Sequence, residues 1–202
     1  MNIEAVFLDL GNVLAFHDDV VLFRRMSEWG GARADKIRER MLLLWDPINR
    51  GTLAGDELRE VVCRVAGSAS PMDEVSFFAM WNCHFRVHTA LLPMIDALLD
   101  KVKVLLLSNT NEMHWRHVRP LIAQFARFHG LVLSHELGLT KPEPAIYQVA
   151  LARAGVAPEK AAYFDDVPRF VEAACDLGIH GRVFTTAENF HKQMIELGIA
   201  VG

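Results

Sequence analysis

Cysteine is scarce. Cys63, Cys83 and Cys175 are odd in number and far apart, and none forms a C-x-x-C pair. That argues against a disulfide framework and for a reduced, cytoplasmic protein with buried thiols. Long apolar runs are missing too, and no stretch approaches the ~18–20 residues needed to span a bilayer. The first residues carry Glu4 and Asp9 where a leader would have a basic start and an apolar region, so no secretory signal is expected. Net charge is −4, without a basic or acidic block. Binding to nucleic acid or to a membrane surface needs clustered Lys and Arg, so neither is expected. No repeat or low-complexity segment occurs. What is present is globular: 202 residues, 51% hydrophobic and 23% charged, enough for one domain or one core with an insertion.

The apolar run Ala5 to Leu8 ends on Asp9, and Gly11-Asn12 follows. A short apolar run bounded by a turn signal reads as a buried strand of a parallel sheet, with Asp9 at its carboxyl end. From Phe16 to about Phe85 the texture is helical. The spacing predicts a helix carrying Val20, Leu22, Phe23 and Met26 that stops at Trp29-Gly30-Gly31. A second covers Asp35 to Leu44 and is broken by Asp46-Pro47, and Asn49 to Thr52 is a loop. A third opens at Asp56 and ends at Gly67. A fourth follows Pro71 with Val75, Phe78, Trp81 and Phe85. Beyond Leu91 the pattern alternates. Helices are predicted over Leu91–Leu99, Met113–Phe125 (interrupted by Pro120), Glu143–Ala154, Pro168–Leu177 and Glu188–Leu197. Strands are predicted over Val102–Leu107, Gly130–Ser134, Ala161–Phe164 and Arg182–Thr185. Such alternation implies an α/β fold, a Rossmann-like parallel sheet flanked by helices. Residues 1–15 and 91–202 would form that core, and residues 16–90 an inserted helical-bundle cap.

Four sites then fall at strand ends or helix starts: Asp9, Ser108-Asn109, Lys141 and Asp165-Asp166. Each has a plain structural reading as a helix cap, a solvated loop lysine or a dipole partner. Gathered on one sheet edge, they suit phosphoryl transfer, which is mainly charge neutralisation and alignment. Carboxylates from two strands can hold Mg²⁺, a hard cation that takes oxygen ligands. Lys141 would neutralise phosphate charge, and the Ser108 hydroxyl with nearby N–H groups would cradle the other oxygens. Asp9 would then attack phosphorus and form an aspartyl-phosphate that water cleaves.

These residues resemble the haloacid dehalogenase-like (HAD) hydrolase superfamily. Its four motifs are matched by Asp9-Leu10-Gly11-Asn12-Val13-Leu14, Leu106-Leu107-Ser108-Asn109, Lys141-Pro142-Glu143-Pro144 and Phe164-Asp165-Asp166. The helical insert matches the cap of the family's first subclass. Within the family the chain is most similar to bacterial glucose-1-phosphate phosphatase-like members, which share the Gly-Asn first motif and the Ser-Asn-Thr-Asn run. The resemblance implies that Asp9 is nucleophile and metal ligand. Asp166 would be the main fourth-motif ligand, with Asp165 adjacent and the Gly11 carbonyl also on the metal. Ser108 and Lys141 would be catalytic and bind phosphate, and Asn12 and Asn109 would join the substrate-binding set. The expected partner is a small phosphorylated substrate, with the chain a monomer or weak homodimer.

Two positions depart from the family pattern. Gly11 stands where most of the family's phosphatases have a second Asp that protonates the leaving group, help typically worth ~10²–10⁴-fold. Esters that need little protonation, such as sugar 1-phosphates, are therefore the expected substrates. His17, Asp18 and Asp19 are candidate substitutes for that proton donor, against the plainer reading of solvated hinge residues. Phe170 replaces the Asn or Asp that usually steadies the metal shell, which weakens the expectation of tight Mg²⁺ binding. His84 and His88, four apart on the fourth cap helix, have helical metal-ligand spacing but no third ligand, so packing is the simpler reading. His114 and His117 border the expected cleft mouth. The loop Asp46-Pro47-Ile48-Asn49-Arg50 is the candidate for substrate selectivity, expected over the cleft as in capped relatives with Arg50 touching a substrate anion, against the plainer reading of a solvated turn. The rival readings are a metal-free 2-haloacid dehalogenase and a catalytically weak binding or scaffold protein. The Asp165-Asp166 pair speaks against the first.

Overall fold

Ala5–Leu8 (β1) has four fully buried residues, and in the computed structural model, which describes residues 2–200, it is the central strand of a five-stranded parallel sheet. The short strand Ala15–His17 (β2) follows and leads into five helices, Asp19–Gly30 (α1), Ala34–Leu42 (α2), Trp45–Asn49 (α3), Gly55–Ala66 (α4) and Glu74–Trp81 (α5). Phe85–Val87 (β3) then pairs antiparallel with β2, closing a two-stranded ribbon at the base of the helices. The alternating half runs Leu92–Leu99 (α6), Lys103–Ser108 (β4), Glu112–Val118 (α7), Gly130–Leu133 (β5), Ser134–Leu137 (α8), Pro144–Ala154 (α9), Ala161–Asp165 (β6), Pro168–Asp176 (α10), His180–Val183 (β7) and Ala187–Glu196 (α11). Sheet order is β5-β4-β1-β6-β7, so the chain winds outward on one side of β1 and then returns to build the other. The edge above β1, where that winding reverses, is where an open α/β sheet leaves a crevice.

Alternation along the strands supplies two apolar faces. Ala5, Phe7, Leu105, Leu107 and Tyr163 pack with Ile146, Tyr147 and Ala174 of α9 and α10. Val6, Leu8, Leu106 and Phe164 pack on the other face with Ile95 and Leu98 of α6 and with Phe190 and Met194 of α11. The helices α1–α5 have a third cluster of their own, around Leu22, Met26, Ile37, Met41, Leu58, Val62, Phe77 and Trp81, which also takes in Met113 of α7. Burying one such large side chain is worth about 1.5–3 kcal/mol, so this cluster both holds α1–α5 together and, through Met113, ties them to α7. Local signals agree with the packing. The Asp18 side chain caps α1 by accepting from Val20 N, and Gly31 ends that helix at φ 84°, a left-handed conformation that glycine adopts without steric cost.

The structure corrects several expectations about the insert. It holds five helices instead of four, and it is entered and left through the β2–β3 ribbon. Asp46 and Pro47 lie inside α3, where a proline one turn from the start costs no hydrogen bond. Phe85, at helical spacing from Trp81, is in β3, and α5 ends at Trp81. Its buried stripe is Phe77 and Trp81, while Val75 is exposed. Beyond the insert, Pro120 ends α7 in a 3₁₀ turn. The last strand begins at His180, two residues before the expected start, and takes in Gly181, which passes so close to Val171 and Cys175 that a Cβ there would stand 2.7–2.8 Å from their atoms.

Candidate active site

Three neighbouring strands end on polar residues at the same edge: Asp9 just beyond β1, Ser108 at the end of β4 and Asp165 at the end of β6. Lys141, in the loop between α8 and α9, reaches across all three. Its Nζ donates to Asp9 Oδ1 at 2.8 Å, to the Leu107 carbonyl at 3.2 Å and to Asp165 Oδ2 at 2.5 Å. The Lys141 side chain is 1% exposed and that of Asp165 0%. Lone charges would be prohibitive at this depth, and together they compensate one another. Burial works against the Lys141 charge, yet Asp165 and Asp9 hold its pKa above the ordinary lysine value. Burial pushes the Asp9 carboxyl up to about 6, with Lys141 pulling the other way and Asp165 adding to the rise. Asp165 is fully engaged, since Oδ1 accepts from Val167 N at 2.8 Å and Oδ2 also accepts from the Tyr163 hydroxyl.

The loop bearing the lysine is fixed by Asn109, whose Oδ1 accepts from Lys141 N at 2.8 Å while its Nδ2 donates to the Lys141 carbonyl at 3.0 Å. Asn12 ties Asp166 to the end of β2. Its Nδ2 donates to Asp166 Oδ2 at 3.0 Å and its Oδ1 accepts from His17 N at 3.3 Å. At φ 54° Asn12 sits in the left-handed region, which asparagine tolerates better than most side chains. Both amides are thus taken up by protein partners, although sequence reasoning placed them on the substrate. One carboxylate oxygen from each of Asp9, Asp165 and Asp166 lies within 4.8 Å of the other two. Phe170 lies under the cluster, its ring centroid 5.1 Å from Lys141 Nζ, and offers the ammonium an aromatic face in place of an amide or carboxylate.

A cleft of about 340 Å³ opens above these groups, floored by Asp9, Gly11, Ser108, Lys141 and Asp166 and roofed by Trp45, Asn49 and His84 from the helical side. Arg50 is absent from its lining. The guanidinium is held by Asp46 and Glu143 and donates to the Gly138 carbonyl at 2.9 Å, so it fastens α3 to the loop before Lys141. The neighbouring Asn49 carbonyl accepts from Ser134 Oγ at 2.5 Å. His84 and His88 flank β3 and share no helix, and His88 is spent on the Val13 carbonyl at 2.9 Å. His114 does reach the cleft, stacked on Trp81 at 5.2 Å, whereas His117 does not line it. Burial lowers the pKa of His84 to about 4 and that of His114 well below the usual value.

A family model for haloacid dehalogenase-like hydrolases matches residues 3–178. The chain belongs to that family. A D-ribitol-5-phosphate phosphatase from Bacteroides thetaiotaomicron is 26% identical to this hydrolase over 185 residues, which cover 87% of this chain and 89% of the relative. A HAD family enzyme from the same organism, crystallised with magnesium and inorganic phosphate, superposes with TM-score 0.79 at 26% identity, covering 91% of this chain and 93% of that one. A HAD-like hydrolase from Porphyromonas gingivalis shares the fold at TM-score 0.83 and 23% identity over 98% of each chain.

Of the hydrolase's sequence-predicted residues, Asp9, Gly11, Asn12, Ser108, Asn109, Lys141 and Asp166 line one cleft, with Asp165 buried beneath it. Sequence reasoning missed Tyr163, two residues before Asp165 and so on the same strand face, and Asn111, which caps α7 and binds His114 through both its amide atoms. It also missed the lining residues Trp45 and Arg169, whereas Asn49 falls in the segment Asp46–Arg50 that was expected over the cleft. The strand period would have found Tyr163. The others depend on how the helices settle over the sheet.

Proposed function

We propose that this hydrolase is a magnesium-dependent phosphatase of a small phosphorylated sugar or sugar alcohol, working through an aspartyl-phosphate on Asp9. Residues 1–15 with 91–202 act as the catalytic body and residues 16–90 as the cap over it. One observation carries the reading: a buried ammonium bonded to Asp9 and Asp165, with Asp166 within reach of both carboxylates. Three clustered carboxylates are hard oxygen donors of the kind Mg²⁺ takes. Asp9 and Asp166 would hold the ion, because among the described residues each keeps an oxygen free of hydrogen bonds whereas Asp165 spends both on Lys141, Tyr163 and Val167. Bound there, the ion supplies charge neutralisation for the phosphoryl oxygens.

Lys141 fixes the Asp9 carboxylate and places a positive charge beside the incoming phosphate. The Ser108 hydroxyl, with the backbone around Asn109, receives the remaining oxygens. Asp9 attacks phosphorus, and the alcohol leaves toward the roof formed by Trp45, Asn49 and His84. Gly11 taken alone favours an easily expelled sugar 1-phosphate, while similarity to a ribitol 5-phosphate phosphatase favours an ester of a primary alcohol. A phosphate-release screen over both kinds of ester, with and without Mg²⁺, tests the reading against Asp9→Asn. Release that needs Mg²⁺ and is lost in Asp9→Asn is expected. Halide release from a 2-haloacid in chelator, or no release above the variant, would overturn it.

A further inference from the structure

We propose that His17, which faces Asp19, donates and recovers the leaving-group proton from the space that a side chain at position 11 would otherwise fill. The inference rests on the phosphatase reading and names the group that its chemistry lacks. A Cβ added to Gly11 would stand 3.0 Å from both Nε2 and Cδ2 of His17, and 3.7 Å from Asp9 Oδ2. An aspartate at 11 would therefore run into the imidazole: the ring already occupies the place beside the nucleophile. His17 lines the cleft, and the other ring nitrogen, Nδ1, faces Asp19 Oδ1 at 3.5 Å. A carboxylate on Nδ1 keeps a proton there and leaves Nε2 as the atom that exchanges.

The ring is placed by the fold. His17 ends β2, where the ribbon pairs it with Phe85, and its N–H is bonded to Asn12, which in turn holds Asp166. The rings of Phe85 and His84 lie against it at 5.8 and 6.1 Å. Of the other candidates near the first motif, Asp18 is committed to capping α1 and Asp19 faces His17 and His84. In the first step an Asp9 oxygen bonds to phosphorus as the bond to the alcohol oxygen breaks. The electron pair goes to that oxygen, which takes the Nε2 proton. In the second, water attacks phosphorus and returns a proton to Nε2 as the Asp9 carboxylate departs.

The test varies the leaving group and compares kcat/KM, which reports the first phosphoryl transfer. Wild type, His17→Ala, His17→Gln, Asp19→Asn and Asp9→Asn are assayed with Mg²⁺ on ribitol 5-phosphate and on 2,4-dinitrophenyl phosphate, whose phenolate leaves unprotonated. His17→Ala and His17→Gln should each lose about 10²–10³-fold on the alkyl ester and less than about 10-fold on the aryl ester. Asp19→Asn should show the same selectivity with a smaller loss, with far-UV circular dichroism unchanged throughout. Equal losses on both esters, or none, would overturn the inference and leave the phosphatase standing. An inert wild type alongside an inert Asp9→Asn would overturn both.

Discussion

Lys141→Met removes a cation bonded to two buried carboxylates, and its cost follows from the geometry. Deleting one partner of a buried ion pair typically costs about 3–5 kcal/mol, because the other charge stays desolvated. Here the side chain of Asp165 is 0% exposed and that of Asp9 10%. Asp9 has an escape, since it can bind a proton. Its folded pKa already lies near 6 against 3.8 for the free group, and loss of Lys141 raises it further. Protonating it costs at most about 5 kcal/mol at pH 7.5 and about 3 kcal/mol at pH 6, at 1.36 kcal/mol per pH unit above 3.8. A folded pKa raised above the unfolded one gives stability that is full below about pH 4 and lost as pH rises through the folded value. Urea unfolding in EDTA should therefore show Lys141→Met about 3–5 kcal/mol less stable than wild type at pH 7.5, the gap narrowing by up to about 2 kcal/mol at pH 6. A loss under about 1 kcal/mol at pH 7.5, or a gap independent of pH, would refute the idea that these carboxylates are desolvated and depend on the lysine.

Other expectations follow from single contacts. His84 is neutral when folded, its pKa about 4 against 6.5 unfolded, so its share of the stability is present above about pH 6.5 and lost as pH falls toward 4. That share is on the order of 3 kcal/mol, and His84→Gln should lose correspondingly less stability than wild type between pH 6.5 and 4.5. Gly51→Ala should cost more than Gly55→Ala in urea unfolding. Both have positive φ, but a Cβ at 51 would lie 2.4 Å from the His135 carbonyl whereas nothing lies within 4 Å at 55. The value at 55 should stay near the ~1–2 kcal/mol of a left-handed alanine. Arg50→Ala should cost only about 1 kcal/mol, its pairs being partly solvated, yet should raise amide exchange around residues 50–53 and 138–143. Unchanged exchange would mean that the fastening is not what orders these loops.

The parallel sheet was legible because apolar runs such as Val104–Leu107 and Ala161–Phe164 are buried on both faces and end on polar residues. Asp9, Ser108 and Asp165-Asp166 could be named for the same reason: strand ends are fixed by local sequence, and the sheet brings them together, while Lys141 was marked by its place just before the start of α9. The ribbon was not legible. Its three-residue strands pair Ala15–His17 with Phe85–Val87 across some seventy residues, and Phe85 also fits a helical stripe with Trp81. Arg50 shows a further limit, since a lone guanidinium near a cleft reads as a substrate contact until Glu143 and the Gly138 carbonyl appear beside it. The proximity of His17 to Gly11 depends on how β2 leaves the first motif, and composition carries no trace of it.

Trp81 and Met113 belong to one dry cluster although they come from opposite sides of the mouth. Swinging the helices wide would wet both, so the same apolar contact that closes the cluster sets a cost on prising the two sides of the cleft apart.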